Sequence, residues 1–452
     1  MGATMSEPNT TFGVSKGTSG EIQWAMASMQ GWRIDMEDDH IILPDFTEDL
    51  ALFAIFDGHG GPEVARVAAK IYPSFLKSNE FCKKKDYQRA LLSSFEKFDL
   101  FMMSPEGKKV FSASSSLNKE MELCAGCTAI VALIEKNWEM PEEWSETEVG
   151  VRAYKDLDLR QKGQKWEDYQ KKISESVFNT QKKKKDKGKK WKIWLANAGD
   201  CRGLLIQNDH RVFALNEEHK PLDDRERKRI ENAGGLVIKM RVDENLNLSR
   251  ALGDFHYKSN FNLPFDQQLI ISKPDIYELV VNTSEASYLF LGCDGVFEIL
   301  SDLEISRQIF KRIISEQTKK KTESEDETSI IDEMKEVIKN EDKLENENKI
   351  EEENLENLEN QENPEGESKS GESLKSSSVK DTGKEEVENL DEKKEETEKT
   401  ETEEIEEEDV KELNQMVDNL KMVLLRTLAK PGQITMGMGY DNMSAICVKL
   451  NI

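Results

Sequence analysis

The sequence predicts a mixed α and β fold in which layered sheets are flanked by helices. Seven short apolar segments have the length and residue types of strands, and five longer segments have the pattern of helices. The two kinds of segment alternate along the chain instead of forming separate blocks. This mixture indicates packed layers, but it leaves the order of the strands open.

The predicted strands are Gln23–Gln30, Ala51–Phe56, Gly126–Ile134, Trp191–Ala198, Arg202–Ile206, Tyr288–Gly292 and Met443–Ile452. The predicted helices are Pro62–Ser78, Tyr87–Met102, Asp223–Asn232, Asp302–Ser315 and Lys411–Ala429. Gly234 and Gly235 follow the third helix and provide its stop signal. Ser301 and Glu304 form a capping-box pattern at the start of the fourth.

Two charged stretches interrupt this pattern. Residues 321–410 hold 36 Asp and Glu against 12 Lys, which accounts for −24 of the net charge of −26. The stretch has no aromatic residue and cannot bury enough surface to offset its chain entropy, so a disordered acidic insertion is predicted over 317–412. A second, lysine-rich insertion is predicted over 136–190, because a long charged stretch separates two strands.

Several function classes are excluded or left unsupported by the composition. No apolar run of 18 residues exists, and the first 30 residues do not resemble a secretory signal. Six cysteines in mostly apolar surroundings indicate free, buried thiols in a reducing compartment. Cys124-Ala-Gly-Cys127 lacks a second pair, so two small core residues entering a strand are favoured over a metal site. We therefore expect a cytoplasmic protein.

The N-terminal 21 residues are predicted to be a tail. They begin Met1-Gly2-Ala-Thr-Met-Ser6, which matches the N-myristoylation pattern at Gly2 and would give weak, reversible membrane association. The lysine run 182–190 has four open interpretations: a second membrane signal, a nuclear-import patch, a contact for the acidic insertion, or a solvated loop. The solvated loop is favoured, and membrane association and partial nuclear entry remain alternatives.

Aspartates recur at the ends of the predicted strands. Asp57, Asp200 and Asp294 each follow an apolar run, and Asp441 shortly precedes one. If these strands lie side by side, the carboxylates converge on one end of a sheet and repel one another. Hard divalent cations such as Mg²⁺ and Mn²⁺ prefer carboxylate, carbonyl and water oxygens. The sequence therefore predicts a divalent-cation site.

Glycine and arginine residues extend this prediction. Asp57-Gly58-His59-Gly60-Gly61 places flexible backbone beside a carboxylate, so the carbonyl of Gly58 has no side chain in its way. Taken singly, an Asp-Gly pair is more often a tight turn. Arg33 has two interpretations: a surface ion pair with Glu37 and Asp38, or a planar fork that binds a phosphate dianion.

Nine motifs in order resemble the metal-dependent protein phosphatases of type 2C, the PPM family. They are Ser28-Met-Gln-Gly-Trp-Arg-Ile-Asp-Met-Glu-Asp38, Phe56-Asp-Gly-His-Gly-Gly61, Ala125-Gly-Cys-Thr-Ala129, Asn197-Ala-Gly-Asp-Cys-Arg-Gly203, Glu218-His-Lys-Pro221, Leu248-Ser-Arg-Ala-Leu-Gly-Asp-Phe255, Lys273-Pro-Asp275, Cys293-Asp-Gly-Val-Phe-Glu298 and Asp441-Asn-Met-Ser444. The resemblance covers residues 22–452 apart from the two insertions. It implies an α+β fold, a central sandwich of two antiparallel β-sheets flanked by α-helices on both outer faces.

The resemblance also implies the roles of the site residues. Asp57 would bridge two Mg²⁺ or Mn²⁺ ions, with the Gly58 carbonyl on one of them. Asp254 and Asp294 would bind the other ion, with Asp441 nearby, and Glu37 and Asp38 would act through bound water. Asp200 would belong to a weaker third metal position. Arg33 would bind the substrate phosphate, and His59 would be the general acid. His256 stands where many members carry an acid, which puts the third position in doubt.

The implied reaction is hydrolysis of phosphoserine and phosphothreonine by direct attack of a hydroxide that bridges the two ions. The implied partners are phosphoprotein substrates, with no nucleic acid and no oligomerisation indicated. Two alternatives belong to other classes. The chain would be a catalytically dead binding module if a metal aspartate or Arg33 were lost, and neither is lost. The acidic insertion would be the main function if it served as a cation buffer or a decoy for basic proteins, although a solvated spacer is the simpler interpretation.

Overall fold

The computed structural model describes residues 4–114, 124–136, 138, 151–154, 190–207, 211–282, 287–310, 391–430 and 438–450. Inter-residue contacts divide the chain into two units. The first comprises residues 1–311 and 407–452 and contains both large sheets. The second comprises residues 312–406, of which the described part, 391–406, is helical.

Fifteen strands are present among the described residues. In chain order they are β1 (Thr4–Ser19), β2 (Ile22–Arg33), β3 (Asp39–Leu43), β4 (Leu50–His59), β5 (Gly126–Glu135), β6 (Val151–Tyr154), β7 (Lys190–Ala198), β8 (Arg202–Gln207), β9 (Val212–Ala214), β10 (Val237–Ile238), β11 (Arg241–Val242), β12 (Leu252–Gly253), β13 (Asp275–Asn282), β14 (Ser287–Gly292) and β15 (Met443–Leu450).

The described α-helices are α1 (Glu63–Ser78), α2 (Glu80–Lys83), α3 (Tyr87–Met103), α4 (Pro105–Ser114), α5 (Asp224–Asn232), α6 (Asp294–Phe297), α7 (Asp302–Ile309) and α8 (Asp391–Thr427). The capping box predicted at Ser301 is present, since its hydroxyl accepts from the Glu304 amide and the Glu304 carboxylate accepts from the Ser301 amide. Within the described part of the chain, no helix is long and apolar enough to cross a membrane.

Two antiparallel sheets form the centre of the fold. The first has the order β1-β2-β15-β14-β8-β9, and the second has the order β3-β4-β5-β7-β13-β6, with β12 paired to β5. Every strand pair in both sheets is antiparallel. A separate two-stranded ribbon joins β10 and β11.

Strand β4 shows how the sequence builds the layers. Phe53 and Ile55 lie in the core cluster that also contains residues of the first sheet, whereas Leu52 and Phe56 lie in the cluster with α1 and α3. The alternation follows from the two-residue period of a strand whose two faces are both covered. All four side chains are fully buried, and each contributes about 1.5–3 kcal/mol of hydrophobic stabilisation.

Helices cover the outer faces of both sheets. The second sheet packs on α1 and α3, whose Tyr72 and Phe95 are fully buried. The core cluster of the first sheet includes Ile305 of α7 and Leu420 of α8. The predicted α+β sandwich flanked by helices is therefore confirmed.

Three boundaries differ from the sequence predictions. The predicted tail is wrong for Thr4–Ser19, which form β1 against β2 as an edge strand. Its side chains are largely exposed, so it lacks the apolar pattern that marks a strand. Within the predicted lysine-rich insertion, Val151–Tyr154 form edge strand β6 against β13, and residues 182–189 of the lysine run lie outside the described residues.

The predicted disordered insertion is wrong for its last residues, because α8 begins at Asp391. Glu and Lys favour helices, and α8 continues into the buried Leu413 and Met416. Residues 317–390 and Gly2 lie outside the described residues.

Candidate active site

The candidate site lies at one end of the sandwich, where strands of both sheets end. Strand β4 carries Asp57 two residues before its end at His59, and Asp57 is paired with Thr128 of β5. Asp200 lies in the turn after β7, and Asp294 lies just after β14. Asp57 and Asp200 thus come from the second sheet and Asp294 from the first. The carboxylates converge between two sheets, which corrects the expectation of a single sheet.

Three of the predicted aspartates form a close cluster. Asp57, Asp200 and Asp294 each place a carboxylate oxygen within 4.8 Å of the other two. A second group at the same spacing consists of Asp38, Asp57 and the sulfur of Cys293. Asp57 belongs to both groups, so it occupies the centre of the site. Cys293 was not predicted to lie in the site.

Burial and mutual repulsion disfavour the charged form of these carboxyl groups. Burial raises the pKa of Asp57 well above its usual range, and the charges of Asp294, Asp38 and Asp441 raise it further. Burial also raises the pKa of Asp294 well above its usual range, and the charges of Asp200 and Asp441 raise it further. Since the charged forms cost free energy here, the cluster favours the binding of cations that neutralise it.

Two buried carboxylate oxygens support the fit to divalent cations. Oδ1 of Asp38 and Oδ1 of Asp254 are shielded from solvent and have no hydrogen-bond partner among the described residues. The other oxygen of Asp38 accepts a 2.7 Å hydrogen bond from the hydroxyl of Ser444, and burial raises the Asp38 pKa to about 7. A donor set of carboxylate oxygens with orphaned members suits Mg²⁺ and Mn²⁺.

Asp254 enters the site on a sharply bent segment. Its backbone has φ +52°, in the left-handed region that few non-glycine residues adopt. Its side chain is fully buried, and Oδ2 lies 2.7 Å from Nε2 of His59. Burial lowers the pKa of His59, but the carboxylates of Asp254, Asp200 and Glu37 outweigh it, so the pKa is raised overall. The structure therefore favours a protonated imidazole.

Arg33 ends strand β2 and pairs with a predicted site residue. Its guanidinium donates a 2.6 Å hydrogen bond to Asp441, and it lies 3.8 Å from the Glu37 carboxylate. Of the predicted ion-pair partners of Arg33, Glu37 is present at 3.8 Å, no ion pair with Asp38 is found among the described residues, and the closest partner is Asp441. Glu37 also accepts a 2.7 Å hydrogen bond from the amide of Gly61.

Gly58 is required by the close approach of two backbone segments. A Cβ at this position would lie 2.3 Å from the carbonyl oxygen of Glu37. Any other residue would push apart β4 and the segment that carries Glu37 and Asp38. The glycine therefore fixes the spacing between these acidic residues and Asp57.

Two residues quoted only within motifs also belong to the site. Lys220 donates a 2.6 Å hydrogen bond to Asp200, and its pKa is raised by Asp200 and Asp294 although burial opposes this. The amide side chain of Asn442 accepts from the Glu37 amide and donates to the carbonyls of Gln30 and Asp35. The Glu218–Pro221 and Asp441–Ser444 motifs were the available signals, but neither indicates the role of these side chains.

Two predictions about peripheral residues have different outcomes. Five of the six cysteines are buried, but Cys124 is exposed, so the prediction of two core residues in the C-x-x-C sequence is wrong for Cys124. His256 is exposed and lies against the ring of Tyr257 at 5.4 Å between centroids. No contact in the described part of the chain joins His256 to Asp200 or Asp254.

Fold and site together define a class of protein, an antiparallel sandwich flanked by helices with a carboxylate cluster at one end. The sequence profile of the family described as Protein phosphatase 2C matches residues 22–138 and 157–346. "Probable protein phosphatase 2C 3" of Paramecium tetraurelia is 35% identical over 309 residues, which cover 68% of this chain and 84% of the relative. "Protein phosphatase 2C homolog 2" of Schizosaccharomyces pombe is 29% identical over 324 residues, 70% of each chain.

The chain therefore belongs to the protein phosphatase 2C family. It is a serine/threonine protein phosphatase, a hydrolase, and the family depends on Mg²⁺ or Mn²⁺. Among solved structures, a crystal structure of a phosphatase from a pathogenic strain of Toxoplasma gondii is 24% identical, with a TM-score of 0.47. The alignment covers 66% of this chain and 84% of that one.

Proposed function

We propose that this phosphatase hydrolyses phosphoserine and phosphothreonine by direct attack of water, with two Mg²⁺ or Mn²⁺ ions held by the carboxylate cluster. The observation that carries the proposal is the convergence of carboxylate oxygens of Asp57, Asp200 and Asp294 within 4.8 Å of one another. A cluster of this kind needs cationic neutralisation. The high pKa of the buried Cys293 thiol argues against thiolate chemistry.

The proposal gives each ligand a distinct role. Asp57 would bridge the two ions, and the carbonyl of Gly58 would contact one of them. The remaining ligands would be Asp254, Asp294 and Asp441 directly, Glu37 and Asp38 through water, and Asp200 at a weaker third position. When bound, the ions would neutralise phosphate charge and make a bridging water acidic enough to attack as hydroxide.

Arg33 would hold the substrate phosphate next to this cluster. A guanidinium has five N–H donors in a rigid fork, and the bond to Asp441 engages one edge of it. Its side chain is 26% exposed, so the group is accessible to a ligand in solution. Asp441 would thereby orient the arginine, and a phosphate dianion would take the remaining donors.

His59 would protonate the departing oxygen of serine or threonine. An alkoxide is a poor leaving group, so a proton must reach it as the P–O bond breaks. The carboxylates of Asp254, Asp200 and Glu37 raise the pKa of His59, which favours the protonated imidazole that this role needs. With Nε2 bonded to Asp254, Nδ1 is the nitrogen that remains to donate the proton.

Metal removal tests this proposal directly. Treatment with EDTA should reduce hydrolysis of a phosphothreonine peptide to background, and Mn²⁺ or Mg²⁺ should restore it, because without cations the carboxylates repel the substrate phosphate. Phosphate release is measured before stripping, after stripping and after reconstitution. Full turnover in a sample shown to be metal-free by elemental analysis would refute the proposal.

Replacement of Arg33 tests the phosphate contact. Arg33→Ala should raise KM clearly and lower kcat to a smaller extent, because phosphate carries charge in both the ground state and the transition state. Arg33→Lys should recover part of the KM change, since a point charge replaces only part of the planar fork. Steady-state kinetics on one phosphopeptide would measure both parameters. An unchanged KM in Arg33→Ala would remove Arg33 from phosphate binding.

We propose a cytoplasmic, monomeric enzyme, with N-myristoylation at Gly2 as a route to weak membrane association. Mass spectrometry of the intact protein from a eukaryotic host would show the added mass of a myristoyl group. The acidic insertion is proposed to be a solvated spacer.

A further inference from the structure

A second pair of charged residues lies beside the segment that carries Asp254. Asp99 belongs to α3, and Lys258 belongs to the 3-10 turn Phe255–Lys258. Their side chains are fully shielded from solvent, with 2.5 Å between Nζ of Lys258 and Oδ2 of Asp99. None of the nine motifs contains either residue, and neither has a place in the mechanism proposed above.

The pair holds the Asp254 segment at two backbone positions. Oδ1 of Asp99 accepts a 2.9 Å hydrogen bond from the amide of Gly253, and Nζ of Lys258 donates a 2.7 Å hydrogen bond to the carbonyl of Ala251. Asp254 therefore lies between an anchored amide on one side and Lys258 on the other. The chain around it follows an unusual path, with φ +78° at Gly253 and φ +52° at Asp254.

The carboxylate of Asp254 is fixed relative to the site by these contacts. Its own amide donates to the carbonyl of Ala125, and Gly253 pairs with Gly126 on β5. Oδ2 then meets His59, and Oδ1 remains buried without a hydrogen-bond partner among the described residues. Two consecutive left-handed residues persist only where the surrounding structure holds them, and the link to α3 is one of the contacts that hold this carboxylate in place.

Filling this buried space with an ion pair carries a free-energy penalty. Taking both charges out of water costs free energy that their attraction only partly recovers, and apolar residues of similar volume are often as stable. Burial raises the pKa of Asp99, against the opposing charge of Lys258. Packing alone therefore does not account for the choice of these residues, whereas the two backbone hydrogen bonds do.

We propose that Asp99, whose buried charge Lys258 neutralises, is a positioning residue that fixes the Asp254 carboxylate in the geometry needed to bind a divalent cation. The proposal rests on the role of Asp254 given under the proposed function. Supporting partners of metal ligands commonly change metal affinity by about 10–100-fold when they are removed.

Two double variants isolate the hydrogen bond from the buried charge. Asp99→Asn/Lys258→Met removes both charges but keeps an acceptor for the Gly253 amide. Asp99→Leu/Lys258→Met removes both charges and the acceptor. Mn²⁺ affinity is measured by isothermal titration calorimetry on EDTA-stripped protein, with Tm recorded for each variant.

The Asn/Met variant should bind Mn²⁺ within about threefold of the parent protein, and the Leu/Met variant should bind about 10–100-fold more weakly. Equal Mn²⁺ affinities in the two double variants, whether high or low, would overturn the inference. If the Leu/Met variant does not fold, Asp99→Ser/Lys258→Met replaces it with the same two outcomes, because serine is too short to reach the Gly253 amide.

Two controls separate this inference from the proposed function. Lys192 and Glu278 form another shielded ion pair, 2.8 Å apart, at the opposite end of the second sheet from Asp57. Lys192→Met/Glu278→Leu should leave Mn²⁺ affinity unchanged. Asp254→Asn should weaken Mn²⁺ binding. If Asp254→Asn binds Mn²⁺ as tightly as the parent protein, the proposed role of Asp254 is refuted. If Asp254→Asn binds Mn²⁺ weakly but the two Asp99 double variants have equal Mn²⁺ affinities, only the positioning role is refuted.

Discussion

Asp57→Asn is expected to lower turnover of a phosphothreonine peptide by roughly 10³-fold or more and to weaken Mn²⁺ binding. Asp57 belongs to both close groups of candidate ligands, so its loss would affect both proposed ions. Charge stabilisation by bound cations amounts to several kcal/mol, and each 1.36 kcal/mol is tenfold in rate. Phosphate release at saturating Mn²⁺ measures the first effect, and isothermal titration calorimetry measures the second.

Asp39→Asn provides the matched control for this variant. Asp39 begins β3 opposite Phe56, and its carboxylate accepts from the amide of His40 instead of facing the cluster. Its replacement should leave both activity and Mn²⁺ affinity close to those of the parent. Unchanged Mn²⁺ affinity in Asp57→Asn would reject the bridging role.

His59→Gln is expected to lower kcat by about 10²–10⁴-fold on phosphopeptides, with little change in KM. The imidazole would donate its proton only as the P–O bond breaks, so the transition state is affected more than the bound substrate. The loss should be much smaller on p-nitrophenyl phosphate, whose leaving group needs little protonation. Steady-state kinetics on the two substrates would reveal this difference.

His40→Gln is the control for the imidazole. His40 lies on β3, where burial lowers its pKa, and it has no contact with the cluster among the described residues. Its replacement should leave kcat unchanged on both substrates. If His59→Gln lost equal activity on alkyl and aryl substrates, the residue would position water or cations instead of donating a proton, and the phosphatase assignment would stand.

Most of the sandwich could be predicted because its central strands are apolar on both faces. All seven predicted strands exist within a few residues of their expected bounds, as at Leu50–His59. Edge strands escaped prediction for the opposite reason. Thr4–Ser19 expose most of their side chains, and β6 lies in a charged stretch, so pairing and not composition makes them strands. Strand β13 lies between β7 and β6 but was not predicted as a strand. Only its first residue, Asp275, was assigned to a motif.

The candidate site could also be predicted only where the signal is local in the sequence. The aspartates could be found because a carboxylate after an apolar run is a local pattern. The pairing of Arg33 with Asp441 could not, since the two residues are 408 positions apart in the chain. The contact between Asp99 and Lys258 spans 159 positions and lies outside every motif. Such contacts depend on how the two sheets and their helices are arranged, and no single segment records them.

A crystal structure with Mn²⁺, with ions located by anomalous scattering at the manganese edge, tests the central claim most directly. The account predicts two strong peaks roughly 3.5–4 Å apart, with the Asp57 carboxylate between them. Asp254 and Asp294 should contact the ions, and Asp57→Asn crystals should lose both peaks. An active crystal form with no manganese at Asp57, or with a single ion bound only at Asp200, would contradict the account.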